Sequence, residues 1–211
     1  LDEPSSSYAL LAKAYQLADD KLSVNYYLDE NARFKNGDQV TAYDVKFSFD
    51  LLLSEEAHPQ YRIYWTDIES AEILDTYTVK FNFKRRNPEL HMIIGDLPVF
   101  SKKWLSKSEF SSNVKKIPIT SGPYTISDYR IGKYIIYERN KNYWAQDIPT
   151  RKHMYNFDRI MIKYYKDMTV ALEAFKAGEY DYIHENHSKR WARDYKGPNF
   201  ENNKIIKTEL L

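Results

Sequence analysis

The run Arg33-Phe34-Lys35-Asn36-Gly37-Asp38-Gln39-Val40-Thr41-Ala42-Tyr43-Asp44-Val45-Lys46-Phe47-Ser48-Phe49 constrains the fold more than any other stretch, because it encodes strand, turn and helix in succession. Asn36-Gly37-Asp38 supplies the turn: glycine accepts a positive φ without steric cost, and Asn or Asp bonds its own backbone nearby. Thr41 offers a hydroxyl to the open amides of a helix start. Asp44, three residues on, places an acid in the first turn, an approximation to a capping box. Val45, Phe49 and Leu52 follow at i, i+4 and i+7, so one helical face is apolar and requires a sheet to pack on.

The flanking sequence supplies strands for such a sheet. Leu10 to Ala18 is a short apolar segment, and Val24, Tyr26 and Leu28 alternate as a half-buried strand does, with Asp19-Asp20-Lys21 as the turn between them. Ser54 to Pro59 is a polar break, and Tyr61 to Trp65 is an aromatic cluster that fits no one element. Ile68 to Ile73 and Thr78 to Phe83 are expected to form a β-hairpin around Asp75-Thr76, with Val79, Phe81 and Phe83 on one face. Pro88 suits the first turn of a short helix ending at Gly95, and Ser101 to Ser108 reads as another. Strands are expected at Tyr124 to Ile126, Tyr134 to Tyr137 and Ile160 to Tyr164, with a turn at Gly132. Met168, Ala171, Leu172 and Phe175 have helical spacing, Gly178 sits where a helix C-terminus favours a residue without Cβ, and Tyr180 to Ile183 reads as the next strand. The fold class is therefore α/β, in the mixed α+β sense, without internal repeats.

Composition excludes several functions. Lys plus Arg number 31 against 30 acidic residues, so no global field draws the chain to nucleic acid or an anionic membrane. Lys102, Lys103, Lys115 and Lys116 read as a solvated face, and no nucleic-acid motif accompanies them. The absence of cysteine rules out disulfides and thiolate metal sites and is compatible with an oxidising compartment. No apolar run approaches the ~20 residues that span a bilayer. There is no Gly-x-Ser-x-Gly elbow, no phosphate-cradling loop and no Cys nucleophile. His184-Glu185-Asn186-His187 comes nearest to a metal motif, but its histidines are three apart where a zinc-binding helix needs four. No catalytic residue, metal ligand or cofactor is expected.

The string R-F-x-x-G-x-x-V-T-A-x-D-V-x-F-S-F at Arg33 to Phe49 resembles the signature of the family 5 extracellular solute-binding proteins, the oligopeptide-binding subunits of ABC importers. Gly122-Pro123-Tyr124 followed by Arg139-Asn140-Lys141-Asn142-Tyr143-Trp144 is similar to the family's "G-P-Y … R-N-x-x-Y-W" segment, and Ala171-Leu172 through Gly178 to Asp181 to its "A-L-x-x-G-x-x-D" segment. Glu185 to Ala192 and the opening Asp2-Glu3-Pro4 resemble the Yej-type branch, whose members import oligopeptides and microcin C. The resemblance runs nearly end to end. It implies a bilobed, periplasmic-binding-protein type II-like fold of which mainly the first lobe is present. Residues 9–117 would be the small subdomain of that lobe, 1–8 with 118–186 its hinge-proximal subdomain, and 187–211 the start of a crossover into a missing second lobe.

The same resemblance sets the functional expectations. Leu1 begins directly in family-like sequence with neither signal peptide nor initiator Met, as expected of a piece of a longer secreted, periplasmic precursor. The expected function is capture of oligopeptides, including peptide antibiotics such as microcin C, by a monomer that delivers them to an inner-membrane ABC permease. No enzymatic activity is expected, and without the second lobe peptide binding should be weak or absent. The alternative is a binding protein for oligosaccharide or metal chelate on the same fold.

Peptide recognition needs a few placed polar groups and roomy or aromatic walls. In the resembled family the chain crosses beside the cleft after the "A-L-x-x-G-x-x-D" segment, which makes Glu185, Asn186, Lys189, Arg190 and Trp191 the main ligand-binding candidates. Glu185 is expected to pair a ligand ammonium, Lys189 or Arg190 to meet a carboxylate, and Trp191 to stack on a side chain. Asp2, Glu3 and Tyr8 lie in a segment that resembles the cleft-facing N-terminal loop, and Ser121 precedes Gly122-Pro123 where the chain passes back between subdomains. The bland reading is a solvated turn for the two bases and core or sheet-face positions for most of the 19 Tyr and 4 Trp.

Overall fold

The computed structural model describes residues 8–104, 110 and 116–209. Asp2, Glu3, Lys115 and the second half of the helix expected at Ser101 to Ser108 lie outside them; Ser101 itself is followed by turn at 102–104. By its internal contacts the chain forms two compact units, 1–127 with 137–160 and 128–136 with 161–211.

The first unit is built on a four-stranded antiparallel sheet in the order β1-β2-β4-β3, from β1 (Ala12–Leu17), β2 (Ser23–Leu28), β3 (Ile68–Asp75) and β4 (Thr78–Phe83). The register places Val24 beside Phe81 and Phe81 beside Ala71, a row of buried side chains across three strands. The alternation read from the sequence is thereby realised, with Val24, Leu28, Val79, Phe81 and Phe83 all inside. The hairpin turn lies at Thr76-Tyr77, one residue later than expected, because the Asp75 carboxylate accepts the Tyr77 N–H at 2.7 Å.

Helix α1 (Ala42–Leu52) packs on β3 and β4, burying Val45, Phe49 and Leu52, with the Phe49 ring edge-on to Phe81 at 5.5 Å. The strand expected before it reduces to a single Arg33–Gln39 bridge across the turn, where Gly37 holds φ +88°. At the helix start the Asp44 carboxylate accepts both the Thr41 amide at 3.0 Å and the Thr41 hydroxyl at 2.8 Å. The aromatic cluster proves to be helix α2 (Pro59–Tyr64), started by Pro59 and by His58 Nδ1 accepting the Gln60 N–H; Trp65 closes it, buried, with Tyr61 stacked on its ring. Helix α3 (Leu90–Gly95) begins two residues after Pro88, which therefore precedes the helix instead of entering its first turn. The Asn87 side chain makes the turn there, accepting the Glu89 N–H at 2.9 Å.

Strands β5 (Tyr124–Arg130), β6 (Tyr134–Arg139) and β7 (Arg159–Lys163) form a three-stranded sheet in the order β5-β6-β7, and Gly132 turns between the first two at φ +72°. In the second unit, helix α4 (Met168–Lys176) is capped by Asp167 accepting the Val170 N–H at 2.9 Å. It buries Ala171, Leu172 and Ala174 and ends through Ala177 into Gly178 at φ +79°. The strand expected at Tyr180 to Ile183 does not form among the described residues. Tyr180 instead packs its ring, tilted, against Tyr165 and Phe175 and donates its hydroxyl to Ala171 O at 2.7 Å, while Tyr182 faces solvent. Two short helices follow, α5 (Ser188–Arg193) and α6 (Pro198–Glu201).

Candidate functional site

The segment expected to contact ligand lies in the second unit, where the chain leaves α4, runs without regular structure to His187 and turns back as α5. That turn brings Arg190 onto Glu185. Glu185 Oε2 accepts Arg190 Nε at 2.8 Å and the Tyr195 hydroxyl at 3.3 Å; Oε1 accepts Arg190 Nη2 at 3.1 Å and the His187 amide at 2.7 Å. The Glu185 side chain is 2% exposed and that of Arg190 34%. The Arg190 hydrogen bonds hold the Glu185 carboxyl at about 2, helped by the His187 amide, the Arg190 charge and the Tyr195 hydroxyl, all against burial. Burial and the Glu185 charge together push the Tyr195 phenol up to about 12, so at neutral pH it donates to the carboxylate.

This geometry bears on the roles expected from sequence. A carboxylate offers about four lone-pair sites, and Glu185 has four donors within the protein. An ammonium would have to displace one of them. Arg190 spends Nε and Nη2 on Glu185 and keeps Nη1 clear of that pair. Trp191 donates its indole N–H to Glu209 at 3.2 Å, carries the Lys207 ammonium 4.3 Å from its ring centroid and meets the Tyr195 ring at 5.4 Å. Asn186 and Lys189 are exposed on the same segment.

Ser121 and Tyr8 belong to the first unit. Ser121 contributes its backbone carbonyl, which accepts the Trp144 indole N–H at 3.0 Å, and Tyr8 is exposed. Asp2 and Glu3 lie outside the described residues. Sequence reasoning missed Tyr195, Lys207 and Glu209, because nothing in their local pattern marks them as partners of residues ten to eighteen positions away. Among the described residues no three His, Cys, Asp or Glu side chains are grouped to hold a metal ion, and no helix is long and apolar enough to cross a membrane.

Comparison with known proteins places the whole chain. It is 37% identical over 208 residues to the uncharacterized protein YejA of Escherichia coli strain K12, covering 99% of this chain and 34% of that protein. It is 31% identical over 217 residues to the probable peptide-binding protein YejA of Agrobacterium fabrum, covering 99% of this chain and 35% of that one. The chain thus spans about a third of the length of the curated relatives it matches. Among solved structures, NikZ from Campylobacter jejuni in complex with Ni(L-His) matches with a TM-score of 0.69 at 25% identity, over 85% of this chain and 35% of that one. Residues 7–210 match the family described as bacterial extracellular solute-binding proteins, family 5 Middle, and the chain belongs to that family.

Proposed function

We propose that this protein is the substrate-binding component of an ABC transporter, capturing oligopeptides in the periplasm as a monomer and handing them to an inner-membrane permease, without catalysis. The observation that carries this reading is the family match over residues 7–210, together with a relative described as a probable peptide-binding protein. In this reading residues 9–117 form the small subdomain of the first lobe, 1–8 with 118–186 the hinge-proximal subdomain, and 187–211 the start of the crossover. Lys189 and the free edge of Arg190 meet a peptide carboxylate, Asn186 bonds the peptide backbone and the Trp191 ring covers a side chain. Glu185 acts chiefly by fixing Arg190, and Asp2, Glu3, Tyr8 and Ser121 are further ligand-binding residues in this reading. Peptide antibiotics such as microcin C fall within the ligand class.

A metal-chelate reading is kept because NikZ was crystallised with Ni(L-His). Native mass spectrometry of the full-length parent protein, purified without refolding, separates the two. Released adducts that fragment into amino-acid residue masses are the expected result. A nickel isotope pattern lost on adding EDTA, or a hexose ladder, would overturn the peptide assignment.

A further inference from the structure

A cavity of about 270 Å³ lies wholly within the first unit, beside the Arg139 to Trp144 run and the loop after it. Its walls include Arg139, Lys141, Tyr143, Gln146, Arg151 and Tyr155, and none of its lining residues is acidic. At ~30 Å³ per water in the liquid, the space equals about nine waters, room for a molecule of a few carbon atoms.

Two donors on this cavity's wall are unused, and one of them is buried. The Nε of Arg151 is shielded from solvent with no hydrogen-bond partner, and its guanidinium makes no ion pair among the described residues. Arg139, by contrast, is paired with Asp158 at 2.6 Å. Tyr143 is 5% exposed, its ring held edge-on by Trp144 and by Tyr155 at 5.8 Å, yet its hydroxyl has no hydrogen-bond partner among the described residues. Burial raises the Tyr143 pKa and the nearby Arg151 charge pulls it back, so the phenol is a neutral donor close enough to the guanidinium to feel it. The loop that carries Arg151 also holds two non-glycine residues in the left-handed region, His153 at φ 66° and Tyr155 at φ 60°, on either side of the wall residue Met154. Such backbone persists where its surroundings over-determine it, and it concentrates at ligand clamps.

A shielded guanidinium N–H without a partner is costly unless a complementary acceptor reaches it, and the unpartnered phenol of Tyr143 on the same wall offers that acceptor a second donor. We propose that this cavity is a binding site for a small carboxylate-bearing molecule, with Arg151 and the Tyr143 hydroxyl donating to the carboxylate oxygens and Lys141 adding positive field at the mouth. The site lies in one unit and does not depend on the peptide-importer reading.

Titration of the protein with sodium succinate, and separately with inorganic phosphate, followed by ¹H–¹⁵N NMR, tests it. Succinate is expected to give saturable shifts confined to residues 139–155. Arg151→Gln should weaken binding about tenfold, equivalent to about 1.4 kcal/mol, the scale of one charge-assisted hydrogen bond. Tyr143→Phe, which keeps the ring and its packing, should weaken it by a smaller factor. Saturation by phosphate and not by succinate overturns the carboxylate assignment. The absence of saturable shifts with either probe, or an affinity unchanged in both variants, overturns the site.

Discussion

Glu185 shows how one side chain can be spoken for twice, by its burial and by its partners. Four donors surround a carboxylate whose side chain is 2% exposed, and its pKa falls to about 2 from the ordinary 4.5. The native state therefore binds its proton less readily than the unfolded chain does. The resulting stability is complete above about pH 4.5 and drains away as pH falls toward 2. Urea unfolding monitored on the second unit should lose stability across that interval, and Glu185→Gln should flatten the acid limb while lowering stability at pH 7. An acid limb identical in the variant would contradict the assignment. From sequence the charges of Glu185-Asn186-His187-Ser188-Lys189-Arg190 were plain. Their pairing was not, since a solvated turn has the same composition and Tyr195 reaches the carboxylate from ten residues away.

Helix α1 illustrates the same limit for an element. Its apolar face and first-turn acid follow from spacing alone, but its polar face is buried as well, with Asp44 4% and Ser48 0% exposed. Asp44 Oδ1 accepts the Lys102 amide at 3.0 Å, and Ser48 Oγ accepts the Phe100 amide at 2.8 Å while donating to Asp44 O at 2.7 Å. The acid that starts the helix therefore also fastens a strand of chain fifty-eight positions away. Asp44→Ala would leave the Lys102 and Thr41 amides without their acceptor, at a cost of about 3 kcal/mol for bonds to a charged group; urea denaturation followed by tryptophan fluorescence measures it. A loss no larger than the ~1 kcal/mol of an ordinary cap would show that the clamp on 100–102 carries nothing. The sequence had no means of announcing such a contact, because hydrophobic periodicity reports on one element at a time. For the same reason Tyr180 to Ile183 reads as a strand: its alternation is genuine, but it pairs with no described strand.

At the scale of the molecule, the two units differ in how much they bury. The first has a cluster of buried apolar side chains from Val24 to Leu97. The described part of the second buries only Ile136, Ala171, Leu172, Ala174 and Tyr195 among its apolar residues. Burial stabilises by about 25 cal/mol per Å², so opening free energies should differ accordingly. In native-state hydrogen exchange the amides of β2 and β4 should be the slowest, and those of α4 and α5 at least about tenfold faster. Equal protection in α5 and β4 would show that the units unfold together.

The four strands of the first sheet all lie between Ala12 and Phe83, whereas the second unit draws on 128–136 and then on nothing before 161. A chain synthesised from its N-terminus can thus close its main sheet before half of it has been made. Residues 128–136 must wait some two dozen residues for the rest of their unit to arrive. In that interval the half-made second unit is the part of the nascent chain most open to capture by chaperones or proteases.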